Sequence, residues 1–390
     1  MFYAKRITSI VCFSISVLII NIFAEKSESN IEGIKKVNET NRPQEPRPPY
    51  PYKEEEVTYQ NGLTNLTLSG TLTIPYPQEL YPVVILISGM GPNDRNYTML
   101  GHKLFLLLAD YLTRQGIAVL RFDKRGVGKS TGKFDTTLTS EDFASDVLAG
   151  VQYLKTRKEI KSNQIGLIGH SEGGLIASIV AAKSNDIAFL VLMAGAVATS
   201  TDNIIEQTGM QLHADGATNE MIALDSKIRK QLLSILKQEA NYDVAEKQLH
   251  SAIAKYLEEL TVDQKNEATK LLFAINGLNF EHMLKLFNSS WYRYFLGYNP
   301  ITVFKKVKAP VLAINGDLDF ITSSKITLPI IEQALKNADN KNYTTLELPK
   351  LNHWFQTCKT GSISEYGVIE ETISPVALNI MAEWVLKLVN

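Results

Sequence analysis

The sequence predicts an α/β fold: a mostly parallel, doubly wound sheet with a helical cap inserted after the sixth strand. Three observations carry this expectation. Short apolar runs at 82–88, 117–122, 164–168, 188–193, 310–315 and 343–348 alternate with helix-like stretches, the pattern of parallel strands covered on both faces. Ahead of them, Val57 to Gln60 and Leu66 to Ile74 alternate apolar and polar residues, as an antiparallel lead-in hairpin does. Between Ala196 and Asn299 the alternation stops, and lysines and glutamates interleave along helix-like stretches such as Ala223 to Ala240 and Val244 to Leu260. At 390 residues and 45% hydrophobic content the chain can bury a large core, in one big domain or two.

Taken in order, the chain begins with Lys5-Arg6 and an uncharged, mostly apolar run from Ile7 to Phe23, ending at Ala24 before Glu25. A basic start, a short apolar run and a small residue before charge describe a signal peptide over 1–24, and hence a periplasmic or extracellular location. A retained membrane anchor is the alternative, since the run is near the lower length limit for a spanning helix. Residues 25–54 are charged and carry Pro43, Pro46, Pro48, Pro49 and Pro51, which reads as an extended linker. The sheet domain then occupies 55–196 and 300–390, interrupted by the helical insertion at 197–299 and closed by a helix from Pro375 to Leu388.

The chemistry-bearing motif is Gly169-His170-Ser171-Glu172-Gly173, between the strand-like Gln164 to Ile168 and a small, apolar helical run from Gly174. A G-x-S-x-G at a strand-to-helix turn lifts the serine hydroxyl off the sheet edge, where it can serve as an acyl-transfer nucleophile. The chain also carries a decoy, Gly128-Lys129-Ser130-Thr131-Gly132, followed by polar loop sequence instead of a helix. Its resemblance to a phosphate-binding loop fails because Asp123 stands where the first glycine is needed.

A serine needs a base, and the six histidines are not equivalent. His353 lies in Leu351-Asn352-His353-Trp354-Phe355, just beyond the last strand-like run, where the order Ser, Asp, His would put it. His213, His250 and His282 fall in the polar helical region and read as surface residues. His170 sits inside the turn with its side chain diverging from Ser171, and His102 reads as the start of a helix. Asp317 and Asp319 both follow the strand-like Ala309 to Gly316, and spacing does not separate them as partners for His353. Backbone N–H groups of Glu172, next to the serine, and of Met90, in the glycine-bearing loop Gly89 to Arg95, are the candidate oxyanion donors.

Taken together, the Ser171 turn, Ser88-Gly89-Met90-Gly91-Pro92-Asn93-Asp94-Arg95, Asp123-Lys124-Arg125-Gly126-Val127-Gly128-Lys129-Ser130 and the His353 loop resemble the α/β-hydrolase superfamily, in its serine-aminopeptidase-like branch that includes bacterial exported carboxylesterases. The resemblance runs over about 55 to 390 and thins in the insertion. It implies Asp319 as the acid, a structural role for the Asp123–Ser130 loop, a cap over the site, and a serine esterase. One departure is Ser88, where many relatives carry histidine. A peptidase with the same triad is the first rival, and an inactive binding protein on the same fold the second.

No cofactor is expected, since no C-x-x-C, H-E-x-x-H or carboxylate–histidine cluster suggests a metal. The formal net charge of −1 gives no basic footprint for nucleic acid, so the expected partner is a small-molecule ester. Of the two cysteines, Cys12 falls in the signal segment and Cys358 is left as a packing residue.

Overall fold

The computed structural model describes residues 41–76, 80–264 and 280–389. Eight strands form one sheet: β1 (Lys53–Asn61), β2 (Leu66–Ile74), β3 (Tyr81–Ile87), β4 (Ala118–Phe122), β5 (Ile160–His170), β6 (Phe189–Met193), β7 (Val311–Gly316) and β8 (Tyr343–Leu348). Their spatial order is β1-β2-β4-β3-β5-β6-β7-β8. β1 pairs antiparallel with β2, and β2 antiparallel with β4; every later pairing is parallel. The chain reverses direction across the sheet at β3, so the segments that follow β3 and β5 meet at one carboxyl edge, where α/β folds gather their binding sites.

Side-chain alternation decides which layer each residue joins. Val83, Ile85 and Ile87 of β3 face one core layer, with α2 (Ser140–Lys155), α3 (Glu172–Lys183) and α10 (Ser324–Asn337). Val84 and Leu86 face the other, with α1 (Leu104–Arg114) and α11 (Pro375–Val389). All seven residues of β3 are buried, as are all five of β4 and of β6, which is why these strands read as unbroken apolar runs. Between β6 and β7 lie α4 (Thr201–Ala214), α5 (Asn219–Gln238), α6 (Tyr242–Glu259), α7 (Phe280–Phe287), α8 (Ser290–Gly297) and α9 (Pro300–Phe304). Ser200, Thr218, Asn241, Ser289 and Asn299 cap five of these by accepting a hydrogen bond from the backbone N–H three residues on.

Two local expectations are corrected. The linker read over 25–54 does not extend to 54: β1 starts at Lys53, and the preceding residues dock on the body. Arg42 donates to the carbonyls of Leu100, Gly367 and Ile369, the Gln44 side chain pairs with Thr372 and Ile373, and Tyr52 donates to Asp110 at 2.9 Å. Prolines remove backbone donors, so this extended segment is held by side chains instead of a ladder. Residues 1–40, with the signal segment and the start of the linker, lie outside the described residues. His102 does not begin a helix. It closes a two-residue ladder with Met99 just before α1 and is fully buried, with ring nitrogens 2.8 Å from Thr372 Oγ1 and 3.1 Å from the Tyr366 carbonyl. Burial, with the nearby Arg42 charge, lowers its pKa to about 4.

Candidate active site

β5 ends at His170 and α3 begins at Glu172, so Ser171 alone makes the turn, at φ 56° and ψ −123°. A non-glycine residue in that region is strained by about 1–3 kcal/mol, and surrounding structure must hold it. Ser171 N–H donates to Met193 O at 2.9 Å, and Ser171 O accepts from Gly174 N at 2.9 Å and Ala196 N at 3.0 Å. Gly173 lets the turn press against β3: a Cβ there would lie 2.0 Å from Ile87 O. Gly89 does the same from the loop after β3, where a Cβ would come 3.0 Å from the Ser171 Cβ.

His353 arrives from the loop after β8. That loop is folded on itself by Asn352, whose Oδ1 accepts from Trp354 N and Gln356 N, both at 3.0 Å. The His353 ring is fully buried, with Nδ1 2.9 Å from Asp319 Oδ2 and 3.2 Å from Thr322 Oγ1. An ionised carboxylate only accepts, so Nδ1 carries the hydrogen and Nε2 the lone pair. Nε2 is buried and has no hydrogen-bond partner among the described residues. No hydrogen bond joins Nε2 to Ser171 Oγ.

Of the two aspartates that spacing leaves open, Asp319 reaches His353, whereas Asp317 Oδ1 accepts from Lys350 N at 2.6 Å. Asp319 is fully buried; Oδ1 accepts from Ile321 N and Thr322 N, and Oδ2 also accepts from Thr322 Oγ1 at 2.7 Å. Burial pushes its carboxyl up, but the His353 charge and these hydrogen bonds outweigh it and hold the group below the usual carboxylate value.

Sequence reasoning dismissed His170 as merely diverging from the serine. Its ring packs against His353 with centroids 4.7 Å apart. Its Nε2 lies 2.8 Å from the His353 carbonyl and its Nδ1 3.2 Å from Tyr97 Oη. A carbonyl only accepts, so Nε2–H donates and Nδ1 accepts from the tyrosine. Burial, reinforced by the His353 charge, lowers the His170 pKa to about 3, so this support stays neutral. The signal available in sequence was position alone: the residue before the serine is the last of a buried strand. Of the remaining histidines, His213 is exposed, His250 half-buried, and the His282 side chain lies outside the described set.

The decoy serine is structural. Ser130 Oγ donates to Asp123 O at 2.7 Å and accepts from Ser69 N at 2.9 Å, tying the loop to β2. Asp123 in turn accepts from Arg95 and from Lys129 N. Cys358 is buried, and desolvation pushes its thiol up to about 11, so it is not a nucleophile near neutrality.

Ser171, Met90 and Glu172 share one cavity of about 80 Å³. Its walls are largely apolar, from Ala196, Ala198 and Ile204 on the β6 side to Trp291 and Phe295 of the insertion. The aromatic run near 291–298 divides its labour: Trp291, Tyr292 and Phe295 line the cavity, while Tyr298 Oη packs inward on Ser178 Oγ at 2.7 Å. Glu172 is the carboxylate among the lining residues, and it accepts from Trp291 Nε1 and from Ser140 Oγ, each at 2.7 Å.

A sheet of this order, with a serine at positive φ on the tip of its fifth strand, has the α/β-hydrolase fold. Residues 82–252 match the family model described as Hydrolase_4: Serine aminopeptidase, S33, so over that stretch the chain is similar to the serine-aminopeptidase-like branch of the α/β hydrolases. Among curated proteins it is similar to Esterase EstD of Thermotoga maritima, 35% identical over 137 residues, which is 35% of this chain and 31% of that protein. The aligned stretch therefore spans about a third of the esterase's length. Among solved structures it resembles the α/β hydrolase GrgF from Penicillium sp. sh18 (TM-score 0.51, 18% identity, 86% of this chain and 98% of that one). A hypothetical protein, PA2218 from Pseudomonas aeruginosa, fits equally well (TM-score 0.51, 16% identity, 88% and 96% covered). At these identities the two structures speak for the fold.

Proposed function

We propose that the protein hydrolyses carboxylic esters through an acyl-serine intermediate on Ser171. The observation that carries the reading is the buried His353 ring, whose Nδ1 Asp319 holds and whose Nε2 has no partner among the described residues. In this scheme Nε2 takes the Ser171 proton as the hydroxyl attacks the ester carbonyl. The Glu172 and Met90 N–H groups hold the tetrahedral oxyanion, and Asp319 keeps the imidazole in the tautomer that can accept. Collapse of the adduct breaks the bond to the alkoxy group, which leaves with the proton from His353. Water then attacks the acyl-serine by the same proton path and releases the acid. The insertion acts as a cap, since Trp291 and Phe295 line the cavity and restrict water there.

The matching family's description favours a second reading, an aminopeptidase. Such an enzyme has to accept a substrate ammonium, and the cavity's own carboxylate already accepts at Oε1 from Trp291 and Ser140 and has the buried Lys124 Nζ 3.8 Å from Oε2. An uncharged, apolar acyl group suits these walls better. Turnover of short p-nitrophenyl esters against aminoacyl p-nitroanilides tests the choice. Faster ester cleavage by several orders of magnitude is expected, and faster anilide cleavage overturns the ester reading. The basic and apolar start of the chain supports export, tested by the N-terminal sequence of protein recovered outside the cytoplasm.

A further inference from the structure

A buried ion pair beside the serine has no part in the scheme above. Lys124 follows β4, is 3% exposed, and its Nζ donates to Gly89 O at 2.5 Å. The same ammonium stands 3.8 Å from Glu172 Oε2 and 4.7 Å from the centre of the Phe143 ring. Burial lowers the Lys124 pKa, while the Glu172 and Asp146 charges act in the opposite direction. An ammonium so placed is costly to desolvate unless partners compensate, so its position calls for an explanation beyond packing.

Its carbonyl partner supplies one. Gly89 O accepts a second bond from Asn93 Nδ2 at 2.9 Å. Gly89 C=O and Met90 N–H are the two ends of one conjugated peptide. Charge drawn to the oxygen makes the N–H a stronger donor, the polarisation that links hydrogen bonds in series. The other donor, Glu172 N–H, opens α3 and gains from that helix's dipole.

We propose that Lys124 is a positioning residue for the oxyanion hole: seated on Gly89 O, its ammonium orients and polarises the Gly89–Met90 peptide so that Met90 N–H stabilises the tetrahedral oxyanion. Glu172, whose N–H is the other donor, balances the charge with its side chain, and through Trp291 it ties the pair to the insertion. The assignment rests on the acyl-serine reading.

The test compares wild type with Glu172→Gln, Lys124→Met/Glu172→Gln and Lys124→Gln/Glu172→Gln, the double variants leaving neither charge buried alone. Each is assayed for kcat and KM on a p-nitrophenyl ester, and for Ki of an aryl trifluoromethyl ketone, which adds to the serine as an oxyanion. Relative to Glu172→Gln, the methionine variant is expected to lose about 10-fold or more in kcat, less than the 10²–10³ of deleting a whole donor. Its KM should stay within about 2-fold. The ketone Ki should rise by the same factor as kcat falls, with the glutamine variant in between. Unchanged kcat and Ki overturn the proposal, and so does a kcat loss that Ki does not follow. Asn93→Ala, which leaves the ion pair in place, is read the same way: weaker ketone binding supports polarisation through Gly89 O, and unchanged binding overturns it. Organophosphonate labelling of wild type separates the two levels, since absence of a Ser171 adduct defeats the parent reading whatever the variants do.

Discussion

Asp319→Asn is the perturbation whose outcome the geometry fixes most tightly. The carboxylate has four bonds to satisfy: Ile321 N and Thr322 N at Oδ1, Thr322 Oγ1 and His353 Nδ1 at Oδ2. An asparagine oxygen can keep the two backbone bonds. Its amide then occupies the Oδ2 position and presents N–H to the N–H of His353. Two donors cannot face each other, so the imidazole moves its hydrogen to Nε2 and loses the lone pair that would accept the Ser171 proton. A wrong tautomer in a comparable triad costs about 10⁴ in kcat, or about 5.5 kcal/mol in the barrier. The expectation here is the same loss, with KM within about 3-fold and little change in Tm, read by steady-state ester hydrolysis beside a thermal melt. Asp317→Asn, which disturbs only the bond from Lys350 N, should stay within about 3-fold of wild type, as surface polar changes usually do. If Asp319→Asn keeps wild-type kcat, or Asp317→Asn loses as much, the tautomer argument is wrong.

Two other outcomes follow from buried groups around the site. His102 and His170 have folded-state pKa values lowered to about 4 and about 3, from 6.5, so below pH 6.5 the unfolded chain binds more protons than the folded one. Stability is therefore full above that pH and falls on acidification, with a slope approaching about 2.7 kcal/mol per pH unit near pH 5. Urea melts between pH 7 and 5 read the slope, His170→Gln should roughly halve it, and an unchanged slope contradicts the assignment. Ser130→Ala removes the partner of a buried Ser69 N–H and should cost about 1–3 kcal/mol in denaturant melts while kcat stays within about 2-fold. A kcat loss of orders of magnitude would return Ser130 to the catalytic candidates.

The parts legible in the sequence were those set by local pattern. Parallel strands such as β3 are buried on both faces, so they surface as apolar runs, and the Ser171 turn announces itself because close approach to β3 demands glycine at 173. What escaped is what distant chain contributes. Arg42 and Gln44 sit in a proline-rich stretch that reads as a tether, and apart from Leu100 their partners lie more than three hundred residues later. His102 and His170 look like incidental ring-bearing residues until the 353–373 segment closes over them. Lys124 belongs to a loop whose glycines and Asp123 have structural work to do, and its contact with Gly89 O becomes visible only when β4 is laid beside β3. Asp317 and Asp319 could not be ranked by spacing because a two-residue difference in a loop is settled by how the loop folds.

The central claim is that Ser171 carries the acyl group. Intact-mass and peptide analysis after quenching a rapid ester burst, or after organophosphonate treatment, should place one adduct on the peptide containing Ser171. The adduct should vanish in Ser171→Ala and persist in Ser130→Ala; an adduct that survives Ser171→Ala would contradict the account.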